Sequence, residues 1–278
     1  MRKPGQIMSL NLTSYDYPVE GHSYNLKITT ESRFTTTYTI TGKKVDIDKG
    51  LVLFYNFDSG NPKTVFDSSG NNNNGIIYGN PSDVDGVEGK ALDFDGVDDY
   101  VQMQDSHSLF VGNTISIFAW VDRENSNDPG DVIYSDIAWP RVEYSLELHR
   151  TSTFFYSNKG TPKGIVFTTS SNCSVFAHKW TFVGVVWNGT VVKFYKNGLL
   201  IDTKLFEYRP VEENNLPHRV ARRTGGWGPF HGAIDDVRVY DYPITNRQIK
   251  YLFCQGAYNL QQKGEFDMPS WCKEYLPD

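Results

Sequence analysis

Cysteine is scarce: three in 278 residues, too few for a disulfide scaffold. Cys254 and Cys272 either clasp the C-terminal tail or stay free thiols, and Cys173 is left over in both cases. Long apolar runs are missing, since no stretch approaches the ~18–20 residues of a membrane span. Met1 to Gln6 leads into no apolar segment, so no secretory signal is visible. Basic charge is in deficit, with 27 Lys and Arg against 33 Asp and Glu, a net charge of -6. Nucleic-acid binding needs a basic footprint, and the one basic cluster, Arg219, Arg222 and Arg223, is short. His107, His149, His178 and His231 show no metal spacing, and no serine or cysteine sits in a nucleophile motif.

What the chain does have is apolar mass, 39% of its residues with aromatics at 14% included in that figure, enough for the core of one large β domain with an appendage. Residues 1–49 are rich in Ser, Thr and Tyr and alternate weakly at Tyr24, Leu26, Ile28 and at Phe34, Thr36, Tyr38, Ile40. Two strands around Glu31-Ser32-Arg33 fit that pattern. With so few aliphatic residues such a hairpin leans on another surface, which makes residues 1–49 a candidate contact for a protein partner.

From Leu51 the pattern sharpens. Leu51 to Phe57 is an apolar strand, and Thr114 to Asp122 sets Ile115, Ile117, Ala119 and Val121 against Ser116, Phe118 and Trp120. Further strands are expected at Val132 to Ile137, Val142 to His149, Ile165 to Thr169 and Arg219 to Arg223. Asn188-Gly189 and Asn197-Gly198 are the strongest hairpin turns and join Trp180–Trp187, Val191–Tyr195 and Leu199–Asp202 into a meander. One helix is convincing, Asn246 to Phe253, with Thr245 and Gln248 as a capping box and Ile244 stapling to Ile249. The expected fold is all-β, a two-sheet antiparallel jelly-roll sandwich with one short C-terminal helix.

Two places break the pattern usefully. Between Ala233 and Tyr240 strict alternation puts Asp235 on the face of Val237 and Val239, and a buried carboxylate there must be paired, hydrogen-bonded or metal-bound. The loop Asp67-Ser68-Ser69-Gly70-Asn71-Asn72-Asn73-Asn74-Gly75 offers the hard oxygen ligands that Ca2+ prefers. Taken alone it reads better as an ordinary Asn/Gly turn. Asn11, Asn172 and Asn188 lie in glycosylation sequons.

Leu51–Phe57, Asp67–Asn71, Gly89–Val101, Ile115–Val121, Trp180–Val185, Phe194–Gly198 and Gly232–Tyr240, in that order, resemble the LamG-like jelly-roll family of the concanavalin A-like lectin/glucanase superfamily. The resemblance spans about residues 50–253, with 1–49 an extension and 254–278 a tail. It implies a rim Ca2+ held by Asp67, backbone oxygens around Asn72 and Asn74, and Asp235 or Asp236. The alternative is that Asp235 pins the asparagine loop through its backbone amides, without an ion.

Glycosidases of this superfamily place their carboxylates on one strand. The nearest match, Glu143-Tyr144-Ser145-Leu146-Glu147, lacks the middle aspartate, and a solvent-facing strand explains it more simply. The resemblance points to non-catalytic binding of a glycan or glycoprotein surface, in an extracellular, cell-surface or virion setting. Trp139 with Arg141, and Trp227 with Arg222 and Arg223, are the loop aromatics beside hydrogen-bonding groups, whereas Trp120, Trp180 and Trp187 belong to the core. The second expectation is a structural or adhesion component of a virion or cell surface that binds no sugar.

Overall fold

Ile115, Ile117, Ala119 and Val121 enter one buried cluster, while Phe118 and Trp120, between them in sequence, enter another. A strand buried on both sides lies inside a stack of layers. The computed structural model describes residues 23–29, 35–41, 45–103, 107–126, 130–139, 141–150, 152–158, 165–206, 213 and 215–276. The chain divides into two compact units between Val45 and Asp46. In the first unit β1 (Ser23–Thr29) and β2 (Thr35–Thr41) pair antiparallel, Ser23 opposite Thr41 and Thr29 opposite Thr35. The expected turn at Glu31–Arg33 and the sequon at Asn11 lie outside the described residues.

The second unit begins with β3 (Leu51–Tyr55), β4 (Thr64–Val65), β5 (Gly75–Tyr78), β6 (Ser82–Asp85), β7 (Lys90–Asp95) and β8 (Tyr100–Met103). It continues with β9 (Ile115–Arg123), β10 (Asp131–Ser135), β11 (Tyr144–His149), β12 (Ser152–Asn158) and β13 (Ile165–Ser170). Then come β14 (Thr181–Trp187), β15 (Val191–Lys196), β16 (Leu199–Leu205), β17 (Arg219–Val220), β18 (His231–Tyr240) and the helix α1 (Asn246–Gln262). One sheet runs β13-β12-β11-β10-β17-β8-β5-β4. The other runs β16-β15-β14-β9-β18-β7-β6, with β3 also paired to β18. The fold is the expected antiparallel two-sheet sandwich, with one α-helix among the described residues.

Leu53, Ile117, Val121, Tyr144, Leu146, Phe155, Val185 and Val239 fill the space between the sheets. Trp120, Phe182, Tyr240, Ile249, Phe253, Ala257 and Leu260 form a second core where α1 covers the outer face of the β9 sheet. Thr245 and Gln248 make the reciprocal capping box that the sequence predicts. The helix runs nine residues past Phe253, because Cys254, Ala257 and Leu260 extend the same buried stripe. Gly256, a poor helix former, is there for space: a Cβ would collide with the Trp120 indole. Cys254 and Cys272 are disulfide-bonded, tying α1 to the following short turn, and Cys173 is free and buried.

Three expectations need correction. β12 was not among the expected strands, although Phe154, Phe155 and Tyr156 suit one. Only Arg219 and Val220 of the Arg219–Arg223 segment pair as strand. The third concerns Asp235. A bulge interrupts β18 between Asp235 and Arg238, with Asp236 at φ 52, and one extra residue shifts the alternation. Ala233 and Tyr240 therefore face the helix side, whereas Ile234, Val237 and Val239 face the sandwich core. Asp235 is buried but does not share the face of the two valines.

Burial of charge is handled by pairing. Arg123 and Asp131 are both fully buried, with Arg123 Nε and Nη2 each 2.6 Å from Asp131 Oδ2. Arg123 Nη1 donates to the carbonyls of Arg150 and Val175, at 3.2 and 3.1 Å. One guanidinium thus joins the end of β9 to β10 and to two loops.

Candidate functional site

On β11, Leu146 and Leu148 point into the core, so Ser145, Glu147 and His149 face the other way. Antiparallel pairing sets Glu147 opposite Phe154 of β12 and Ser145 opposite Tyr156. The loop after β17 brings Arg223 and Trp227 over this patch. Arg223 makes a bidentate ion pair with Glu147, Nε to Oε1 and Nη2 to Oε2, each 2.6 Å. Ser145 Oγ donates to Glu147 Oε1 at 2.8 Å, and His149 Nε2 lies 2.9 Å from Oε2. Burial alone would raise the Glu147 carboxyl, but the hydrogen bonds from His149 and Arg223 and the Arg223 charge hold it below the ordinary range. Glu147 is fully buried and Glu143 nearly so, which corrects the expectation of a solvent-facing strand: loop and aromatic side chains cover it.

Around that polar centre the rings form a platform. The Arg223 guanidinium lies 4.3 Å from the Trp227 ring and 5.0 Å from Tyr156. His149 is 5.7 Å from Trp227 and 4.3 Å from Phe154, and Tyr156 is 5.5 Å from Phe167. Trp227 and Phe167 remain 44% and 58% exposed. The six-membered ring of Trp227 packs against Gly130, where any Cβ would collide with the indole. Beside it Gly96, Gly130, Gly226, Gly228, Pro229 and His231 complete an open pocket of about 290 Å³. The sequence signals Arg223 and Trp227; Glu147, His149, Phe154, Tyr156 and Phe167 join them only through strand register.

The other expected ligand residues scatter. Arg222 turns back to accept no role at the platform: its Nε and Nη2 donate to the Gly226 carbonyl at 3.2 and 3.1 Å. Its guanidinium also lies 5.8 Å from Tyr100, itself stacked on Tyr78. Trp139 is 77% exposed on a tight turn in which the backbones of Ala138 and Arg141 exchange hydrogen bonds. That turn abuts Gly225, whose N–H donates to Ile137 O at 2.7 Å, and Arg141 itself is exposed.

The expected metal ligands also serve different loops. Asp67 Oδ1 accepts from Phe54 N and Ser69 N, and Oδ2 from Ser69 Oγ and Asn73 N, all within 3.0 Å. Four donors use the lone-pair sites of a carboxylate. Asn74 Oδ1 accepts from Asp67 N, and Asn72 turns the loop at φ 61. Asn71 and Asn73 tie the loop to β3 through the carbonyls of Leu51 and Val52. Asp235 accepts from Val87 N at 2.8 Å, Glu88 N at 3.4 Å and Asp236 N at 2.7 Å. It pins the turn between β6 and β7, not the asparagine loop. Burial and then the neighbouring Asp236 push its carboxyl upward, against those three amides. Asp236 is also raised, chiefly by burial, with Arg238 lowering it and Asp58 raising it further.

Among the described residues two other groups bring three ligating side chains within 4.8 Å of one another. Asp95, Asp98 and Asp99 line an open acidic pocket, and Asp136, Glu143 and His218 are buried together. These acidic groups are able to take a metal ion.

Comparison with known proteins fits this fold. The family model Laminin_G_3, of the concanavalin A-like lectin/glucanases superfamily, matches residues 95–250. The chain belongs to that family. Among solved structures, the binding domain of Paraclostridial Mosquitocidal Protein 1 superposes with a TM-score of 0.61 at 18% identity, over 75% of this chain and 52% of that one. Domain 4 of AbnA, an extracellular GH43 arabinanase from Geobacillus stearothermophilus solved with arabinotriose, gives 0.57 at 21%, over 72% and 96%. The binding domain of botulinum neurotoxin DC in complex with SialylT gives 0.59 at 18%, over 77% and 53%. This chain thus spans about half the length of the two toxin binding domains. No curated protein matches its sequence. Both toxin structures are binding domains by name, and no helix among the described residues is long and apolar enough to cross a membrane.

Proposed function

We propose that this chain is a non-catalytic carbohydrate-recognition module whose ligand lies on the Trp227 platform. The observation that carries this reading is one half-exposed indole, seated on Gly130 and flanked by Arg223 and His149, beside a small glycine-walled pocket. A flat ring takes the C–H face of a pyranose while neighbouring donors meet its hydroxyls. Catalysis is disfavoured because Glu147 is held ionised by Arg223 and has no proton to give, and Glu143 is sealed from solvent. The sugars bound by the arabinanase domain and the neurotoxin domain lend the reading support by analogy of fold. A glycan array that includes arabinotriose and sialylated glycans tests it. Wild type binds at least one class, and Trp227→Ala loses about tenfold or more in affinity, the scale of an anchoring aromatic. A blank array for wild type defeats the proposal.

The Ca2+ expected from the family resemblance is assigned in this proposal to Asp235 and Asp236. Two adjacent carboxyls, each pushed up by burial, gain from a divalent cation, and Asp235 accepts three hydrogen bonds where Asp67 accepts four. Asp67, Asn72 and Asn74 then act by holding their loop. Calorimetric titration of chelated protein is expected to show Ca2+ heat that Asp235→Asn removes and Asp67→Asn leaves in place. The reverse pattern, or no heat from wild type, refutes the assignment.

A further inference from the structure

We propose that Asp136, Glu143 and His218 form an interior site for one first-row divalent cation of the Zn2+ or Mn2+ type, separate from both the sugar platform and the Asp235–Asp236 pair. The site follows from strand order. β10, β11 and β17 are neighbours in one sheet, in the order β11-β10-β17. Asp136 is the first residue after β10, Glu143 the last before β11 and His218 the last before β17. Three strand ends on one side of the pairing therefore deliver three side chains to one point. Each offers a ligating atom within 4.8 Å of the other two, and none is more than 1% exposed.

The imidazole carries the argument. His218 Nδ1 lies 2.8 Å from the hydroxyl of Tyr134, which fixes the ring. Its Nε2 is fully enclosed and makes no hydrogen bond; the nearest carboxylate oxygen, Glu143 Oε2, stands off at 3.7 Å. A polar nitrogen sealed from water without a partner costs free energy. An outer partner on one ring nitrogen, with the other nitrogen turned toward carboxylates, is how metal-ligating histidines are oriented. The 3.7 Å between His218 Nε2 and Glu143 Oε2 suits this, because two ligands bonded to one ion at about 2.0–2.2 Å stand at most about 4.4 Å apart. Asp136 is oriented as well: both oxygens accept from Glu143 N at 2.9 Å, and Oδ1 also from Tyr144 N at 3.1 Å. One nitrogen and two carboxylates suit Zn2+ or Mn2+ better than Ca2+, which takes oxygen ligands in larger number.

Because the site is enclosed, the ion enters during folding, and the test is refolding. Wild-type protein is unfolded with EDTA, desalted and refolded with Zn2+, Mn2+, Ca2+ or Co2+, or with EDTA alone. After gel filtration the Zn2+ or Mn2+ sample is expected to retain about one equivalent by mass spectrometry of the metal. Its Tm is expected to lie about 8–16 °C above that of the EDTA sample when metal is present at ~1,000 times its Kd. The Co2+ sample is expected to show visible d–d bands. Glu143→Gln and His218→Gln lose the ion and the bands, while Asp235→Asn keeps them. Wild type retaining no ion, or retaining only Ca2+, overturns the proposal and leaves a shared proton or enclosed water at the site. Equal retention by wild type and both variants also overturns it. Should the variants fail to fold, metal retention and the Co2+ spectrum of wild type decide alone.

Discussion

Asp131→Ala is expected to cost about 3–5 kcal/mol of unfolding free energy, the scale for breaking a buried ion pair from one side. The substitution removes the partner of a guanidinium that has no access to water, since Arg123 is buried with Asp131. Its two remaining hydrogen bonds run to neutral carbonyls of Arg150 and Val175 and leave the charge uncompensated. Urea denaturation reads the result as a lower midpoint with an unchanged slope. The double variant Arg123→Met with Asp131→Leu is the informative companion. It removes both charges, and recovery of most of the loss shows that the penalty lay in the orphaned cation. A single variant within 1 kcal/mol of wild type would show that water reaches Arg123.

Glu147→Ala is the second large change, expected to cost about 3–5 kcal/mol and to disorder the platform together. Glu147 holds Arg223 by two bonds, and Arg223 in turn packs against Trp227 and Tyr156. Acid is expected to act at the same point. The folded carboxyl lies below its unfolded value because His149 and Arg223 outweigh burial. Between the two values the unfolded chain binds the extra proton, so stability rises with pH there. The contribution is complete above the unfolded value of about 4.3 and disappears as pH falls through the folded one. Thermal melts from pH 7 to pH 2 check it: the gap between wild type and Glu147→Gln narrows only below about pH 4.3. A gap constant with pH would place Glu147's stabilising role in shape, not charge.

How far the sequence could be read depended on the range of the interaction. The alternation of Ile115–Val121 and the Asn-Gly turns at 188 and 197 are local rules, and β9, β14, β15 and β16 obey them. The capping box of α1 is equally local and was legible to the residue, while its C-terminal end was not, because that end is decided by packing on Trp120. Asp235 shows the limit most clearly. Strict alternation placed it with Val237, but a one-residue bulge at Asp236 changes the phase, and nothing in the eight residues from Ala233 to Tyr240 announces a bulge. At the platform, Trp227 and Arg223 stood out as a loop aromatic beside a cation. Glu147 and Phe154 became neighbours only through the β11–β12 register, which no single segment encodes.

The placement of α1 leaves the side of the molecule that carries the proposed ligand platform uncovered by the helix. With the helix and its disulfide-bonded turn laid over the β9 sheet, that side is already spoken for by the chain itself, and Trp227 looks out from the opposite sheet. A tether, label or fused domain joined through the helix-backed side lies on the sheet away from the indole, so immobilising the protein there turns the platform proposed to bind sugar outward.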